Sequence, residues 1–299
     1  MRDGRHPGRD PLRSIASWSA MLLASPLIGI ICRTSGHAVP DWWPATQSAI
    51  VAAFGVALLL SERLRPAARF VFALVALRIG WNLVAPWFAA IPAVQSWTEG
   101  HDWCVRLFVS RFATLAGALL MCIPLVGSGV GRRELFLRLG ELNAPAAPMP
   151  YLGVRRSIRW TIFGPALLVV FGIALPLFLF FTLKPNFRAS AQLLQFLPCI
   201  LASAALNAIS EEFQFRCVPL ALLRDVMSPA GAMLVTAVFF GLGHFYGQPS
   251  GPIGVLMAGF AGWIWAKSMI ETRGIFWAFA IHMIQDIVIF SFLCLSAAK

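Results

Sequence analysis

Stretches of roughly twenty apolar residues recur along the whole chain, parted by short loops, and this repetition constrains the fold more than any single motif. A helix needs about 20 mostly apolar residues, rising ~1.5 Å each, to cross the hydrocarbon core of a bilayer. Candidate spans fall at 14–31, 48–61, 67–94, 106–127, 158–183, 192–224, 229–246, 252–270 and 274–297. The expected fold class is therefore an all-α polytopic bundle of eight or nine spanning helices, eight if the short second segment is re-entrant. Composition agrees, since 59% of the 299 residues are hydrophobic and 12% charged, against about 25% charged in soluble domains. The 24 Lys and Arg outnumber the 13 Asp and Glu. They are scattered among apolar runs rather than gathered on one face, so no nucleic-acid partner is expected.

Positive charge orients the bundle, because cytoplasmic loops carry the excess of Lys and Arg. Arg2, Arg5, Arg9 and Arg13 precede the first span, Arg63, Arg65 and Arg69 follow the second, and Arg132, Arg133, Arg138, Arg155, Arg156 and Arg159 flank the longest loop. Those segments are expected inside, with the N-terminus cytoplasmic. "HAVPDWWPATQ" and "SWTEGHDWC" are expected outside, their tryptophans at the interface. The Arg-rich start and first apolar run resemble a secretory signal but lack a clear cleavage site, and are read as the first helix. The six cysteines form no CxxC pair. They read mainly as free thiols packed as small apolar residues, with Cys32 and Cys104 the pair that can meet on the outer side.

Residues 127–157 form the longest polar stretch. Phe136, Leu139 and Leu142 at helical spacing suggest a short amphipathic helix there, ended by "NAPAAPMP". This loop divides an accessory set of N-terminal transmembrane helices, 1–157, from a second half, 158–299. No internal repeat links the two, which argues against a transporter of inverted repeats.

The second half places ionisable groups where a bilayer makes them costly. In "SEEFQFR", Glu212 and Arg216 stand four apart, as an ion pair on one helix face would. Such a pair would orient the neighbouring Glu211. In "FFGLGHFYG", Phe240 and His244 repeat the spacing, and in "AFAIHMIQDIVIF", His282 and Asp286 repeat it again. At ~1.5 Å per residue from the presumed cytoplasmic ends, Glu211 and His244 lie about 21 and 22 Å deep, and His282 and Asp286 about 14 and 20 Å deep. One membrane histidine alone reads as a helix–helix hydrogen bond. Two histidines and two acids delivered by three helices to one layer read as a site. His6, His37 and His101 fall in tails or loops. "GFAGW", 259–263, reads as close helix packing.

EExxxR, FxxxH and HxxxD in this order resemble the CAAX protease and bacteriocin-processing (CPBP) family, intramembrane endopeptidases related to the type II CAAX prenyl endopeptidase. The resemblance covers about 158–299. It implies a peptidase core with Glu211, His244, His282 and Asp286 as catalytic residues and Glu212, Arg216 and Phe240 in support. The family admits Asn or Asp at the last position. The prenyl-protease branch typically has Asn, so a prenylated substrate does not follow from Asp286.

Peptide hydrolysis needs an activated water and stabilisation of the developing oxyanion. Glu211 with His244 can hold and deprotonate the water. The resemblance implies that His282 and Asp286 form the oxyanion pocket. An ionised Asp286 cannot donate a hydrogen bond, so either it is protonated or it orients His282. The expected function is thus an intramembrane endopeptidase acting with a glutamate-activated water on a membrane-embedded or lipidated peptide or protein, in the inner membrane of a bacterium. No cofactor is favoured. Zinc is the alternative, with Glu211, His244 and His282 as ligands, although HExxH is absent. A proton-coupled transporter and a non-catalytic membrane binding protein are the remaining readings.

Overall fold

The computed structural model describes residues 10–297. Their helices are α1 (Pro11–Ala24), α2 (Leu27–Thr34), α3 (Trp43–Leu59), α4 (Arg65–Ile79), α5 (Ala85–Ala89), α6 (Pro92–Glu99), α7 (Trp103–Met121), α8 (Trp160–Leu183), α9 (Ser190–Glu212), α10 (Val218–Leu223), α11 (Pro229–Gly243), α12 (Gly251–Thr272) and α13 (Phe276–Ala297). π-Helical turns at Gly80–Val84 and Phe213–Cys217 join α4 to α5 and α9 to α10. Among the described residues seven continuous helices are long and apolar enough to cross a membrane, and the bent pair α1–α2 makes an eighth if it counts as one span. The all-α polytopic class is therefore as expected, but a ninth span is not reached. α3 has 17 residues, short of the ~20 that a full crossing takes.

The described residues divide into two compact units, one of 10–85, 116–135 and 213–266, the other of 86–115, 136–212 and 267–297. In the first, the expected opening span breaks at Ser25–Pro26 with a bend of 52°. Proline cannot continue the ladder of backbone hydrogen bonds, and carbonyls freed in an apolar setting need other donors. Buried Gln47 supplies them through Nε2, to Leu23 O at 2.6 Å and Ser25 O at 2.8 Å. Buried Arg78 reaches Ala24 O at 2.8 Å. One amide and one guanidinium thus hold the broken helix against α3 and α4.

In the second unit α13 packs along α8 and α9. Gly164 makes the α8 contact possible, because a Cβ there would collide with the Trp277 ring. Trp277 is itself held by a 3.1 Å bond from Nε1 to Leu142 O. Gly164→Ala is expected to cost about 1–3 kcal/mol through overpacking. Gly172→Ala, on the same helix with nothing within 4 Å of the added carbon, should be neutral or mildly stabilising. Thermal unfolding in one detergent checks both.

Two expectations are corrected in this unit. Residues 127–159 contain no α-helix. Gly140 (φ +78°) and Phe136 (φ +57°) interrupt any helical run, and the segment instead forms a two-residue ladder, β1 (Pro145–Ala146) with β2 (Ile158–Arg159). Its backbone bonds to the α12–α13 turn, Glu141 N to Thr272 O at 2.7 Å and Ile275 N to Arg138 O at 3.0 Å. Secondly, Cys104 is disulfide-bonded to Cys199, with Cα atoms 6.3 Å apart, and Cys32 is free. The partners are 95 residues apart but share an apolar cluster with Phe196, Ile200, Phe290 and Cys294.

Candidate active site

Glu211 and Glu212 end α9, and the next turn, Phe213–Cys217, is π-helical. Such turns widen the helix and recur at functional sites. The four-residue register between Glu212 and Arg216 is therefore not that of a plain α-helix, and each side chain has partners that spacing did not show.

In the second unit His282, from α13, is surrounded by carboxylates. Its Nδ1 lies 2.7 Å from Glu212 Oε1, so against an ionised Glu212 it is Nδ1–H that donates. Its Nε2 lies 3.5 Å from Glu211 Oε2 and 3.6 Å from Asp286 Oδ2. Glu212 is wholly buried, and His282 and Asp286 are 3% and 5% exposed, so these electrostatic interactions act with little screening. Glu211 Oε2 is buried and accepts no hydrogen bond from the described residues.

Asp286 is held in turn by Asn207, whose Nδ2 donates to Oδ2 at 2.9 Å. Arg111 of α7 donates to Asn207 Oδ1 at 3.2 Å. Asn207 and Arg111 were missed in the sequence, although signals existed. Asn207 stands one helical turn before Glu211 on the same face, and Arg111 is a charged residue inside an apolar run.

The first unit holds the other expected residues. Arg216, fully buried, lies over the Phe240 ring at 3.9 Å and the Trp265 ring at 4.7 Å, a desolvated cation–π arrangement. His244 follows the last residue of α11. Its ring packs on Phe240 at 4.3 Å, and its Nδ1 lies 3.0 Å from Phe240 O. The glycines of "GFAGW" admit this packing. A Cβ on Gly262 would press on Arg216 Nη2 at 3.0 Å and Phe240 at 3.2 Å. The structure thus gathers Glu211, Glu212, His282 and Asp286 in one unit, and Arg216, Phe240 and His244 in the other.

Among the described residues no group of three or more His, Cys, Asp or Glu side chains has metal-binding geometry. The Nδ1 of His282 is already engaged by Glu212.

Residues 193–288 match the family model "Type II CAAX prenyl endopeptidase Rce1-like". The matched segment runs through Asn207, Glu211, Glu212, Arg216, Phe240, His244, His282 and Asp286. No curated protein and no solved structure matches the chain. The match supports an integral membrane peptidase whose setting is the lipid bilayer. Residues 193–288 are thus similar to the type II CAAX prenyl endopeptidases, as the resemblance to the CAAX protease and bacteriocin-processing family implies.

Proposed function

We propose that the protein is a glutamic intramembrane endopeptidase, with Glu211 the general base that activates a water against a peptide carbonyl. The observation that carries this reading is the buried Glu211 Oε2, which accepts no hydrogen bond from the described residues and stands 3.5 Å from His282 Nε2. Glu212 fixes His282 and stabilises it when both ring nitrogens carry protons. Nε2–H then donates to the developing oxyanion. Asp286, positioned by Asn207, orients the ring from the other side.

The substrate class is a membrane-embedded or lipidated peptide or protein. The chain sits in a bacterial inner membrane with its N-terminus in the cytoplasm. The Cys104–Cys199 disulfide supports that orientation, because Cys104 stands at the start of α7, directly after the loop expected outside, and disulfides persist in oxidising compartments.

The test is cleavage of a library of membrane-anchored peptides in liposomes by wild type and a folded Glu211→Ala variant, each with and without a strong zinc chelator. Chelator-insensitive cleavage that disappears in the variant supports the glutamic mechanism. Chelator-sensitive cleavage restored by zinc replaces it with the metal alternative, and equal cleavage by variant and wild type removes Glu211 from the chemistry.

A further inference from the structure

The first unit contains a cavity of about 490 Å³, within the ~300–1,000 Å³ of ordinary ligand sites. Its wall is mostly apolar, and the polar groups that reach it are chiefly donors. They include Arg33, Arg78 and Tyr246, and no Asp or Glu is among the described lining residues.

Arg78 is 8% exposed. Nε donates to Ser48 Oγ at 3.1 Å, Nη1 to Ala24 O at 2.8 Å and Nη2 to Pro44 O at 3.0 Å. All three acceptors are neutral, and no carboxylate among the described residues pairs with the charge. A guanidinium has five N–H donors, so two remain. Trp81 lines the same wall with its ring, while its buried Nε1 packs against Gly117. Arg33 brings a second cation, placed 5.1 Å over the Tyr246 ring. Buried donors without acceptors carry a desolvation cost, and an anion at this position would relieve it.

The surroundings select the kind of anion. Trp43 lines the cavity and packs edge-on against Trp42, itself 61% exposed. Paired tryptophans of this kind sit at headgroup level. The apolar wall, with Val39, Leu77 and Phe239, suits chains attached to the anion rather than a free ion. We infer that this cavity is a binding site for an anionic phospholipid, its phosphate held by Arg78 and Arg33 and its acyl chains against the apolar wall. Gly243 and Tyr246, on either side of His244, line the same cavity, so the lipid would touch the turn that carries His244.

The test is native mass spectrometry of the full-length protein in neutral detergent with dioleoyl-phosphatidylglycerol or dioleoyl-phosphatidylcholine. Wild type is expected to retain the glycerol lipid about tenfold better, given the strength of charge-assisted hydrogen bonds. Arg33→Gln, at an exposed position, should lower that retention about fivefold without loss of folding. Gly29→Leu should abolish it by filling the cavity, since a Cβ there points at Val39 and the Tyr246 hydroxyl, 3.6 Å from each. Arg188→Gln, an exposed arginine of the other unit, should change nothing. Equal retention of the two lipids, or full retention by both Arg33→Gln and Gly29→Leu, would overturn the site. Displacement by inorganic phosphate would make it a bare anion site, and displacement by palmitate at equal concentration a carboxylate site. Either would overturn the phospholipid assignment.

Discussion

Glu212→Gln is expected to cleave a membrane-anchored peptide about 10²–10⁴-fold more slowly than wild type while leaving the helices folded. The range is that of a positioned acid–base group or of the acid that orients a catalytic histidine. Glutamine fills the same volume, and its carbonyl can still accept from His282 Nδ1–H, a contact now 2.7 Å long. What it removes is the charge that steadies a doubly protonated ring. Its amide group can also turn towards Nδ1 and reverse the tautomer. The loss should therefore fall on kcat more than on KM, with a shifted pH profile, which a purely structural role would not produce. Activity within a few-fold of wild type would show that Glu212 does not support the chemistry.

Glu271→Ala is expected to be the costlier change for stability, by about 3 kcal/mol or more. The Glu271 carboxylate accepts from Ala147 N at 3.0 Å and from Trp160 Nε1 at 2.8 Å, and pairs closely with Lys267. Lys267 is only 6% exposed. Removing one partner of a buried pair leaves the other charge uncompensated, at a cost of about 3–5 kcal/mol. Glu271→Gln should cost less, because it still accepts from Ala147 and Trp160. The double change Lys267→Met with Glu271→Gln should recover part of the loss, since no buried charge then remains. Denaturant unfolding in mixed micelles measures the series, and a double variant no better than Glu271→Ala would remove the buried charge as the cause.

The spanning helices were legible because the bilayer imposes one length and one composition on them. The same uniformity hid where a helix breaks and what repairs the break. Pro26 lies inside the expected span 14–31, and nothing in local spacing said that the helix would break there or that Gln47 and Arg78 would bind the freed carbonyls. The three motifs pointed to Glu211, Glu212, His282 and Asp286 because charge in an apolar run stands out. Helical spacing suggested Arg216 for Glu212 but gave no sign of His282, 70 residues away. Long-range partners such as Cys199 for Cys104, or Arg111 for Asn207, leave no periodic trace. The 127–159 segment misled for a related reason. The segment meets the α12–α13 turn through its backbone at Arg138, Gly140 and Glu141, leaves Leu139 exposed, and turns at Gly140.

Glu211 and Glu212 are consecutive residues, so on a helix their side chains leave the axis about 100° apart. Yet both approach one imidazole, Glu212 at Nδ1 and Glu211 at Nε2. A ring straddled in this way acts as a rotational detent. Turning α9 about its axis in either direction draws one carboxylate toward the ring only by carrying the other away. The angular setting of the helix is thereby fixed where it matters to the chemistry, while sliding along the axis is restrained by the separate link from Asn207 to Asp286.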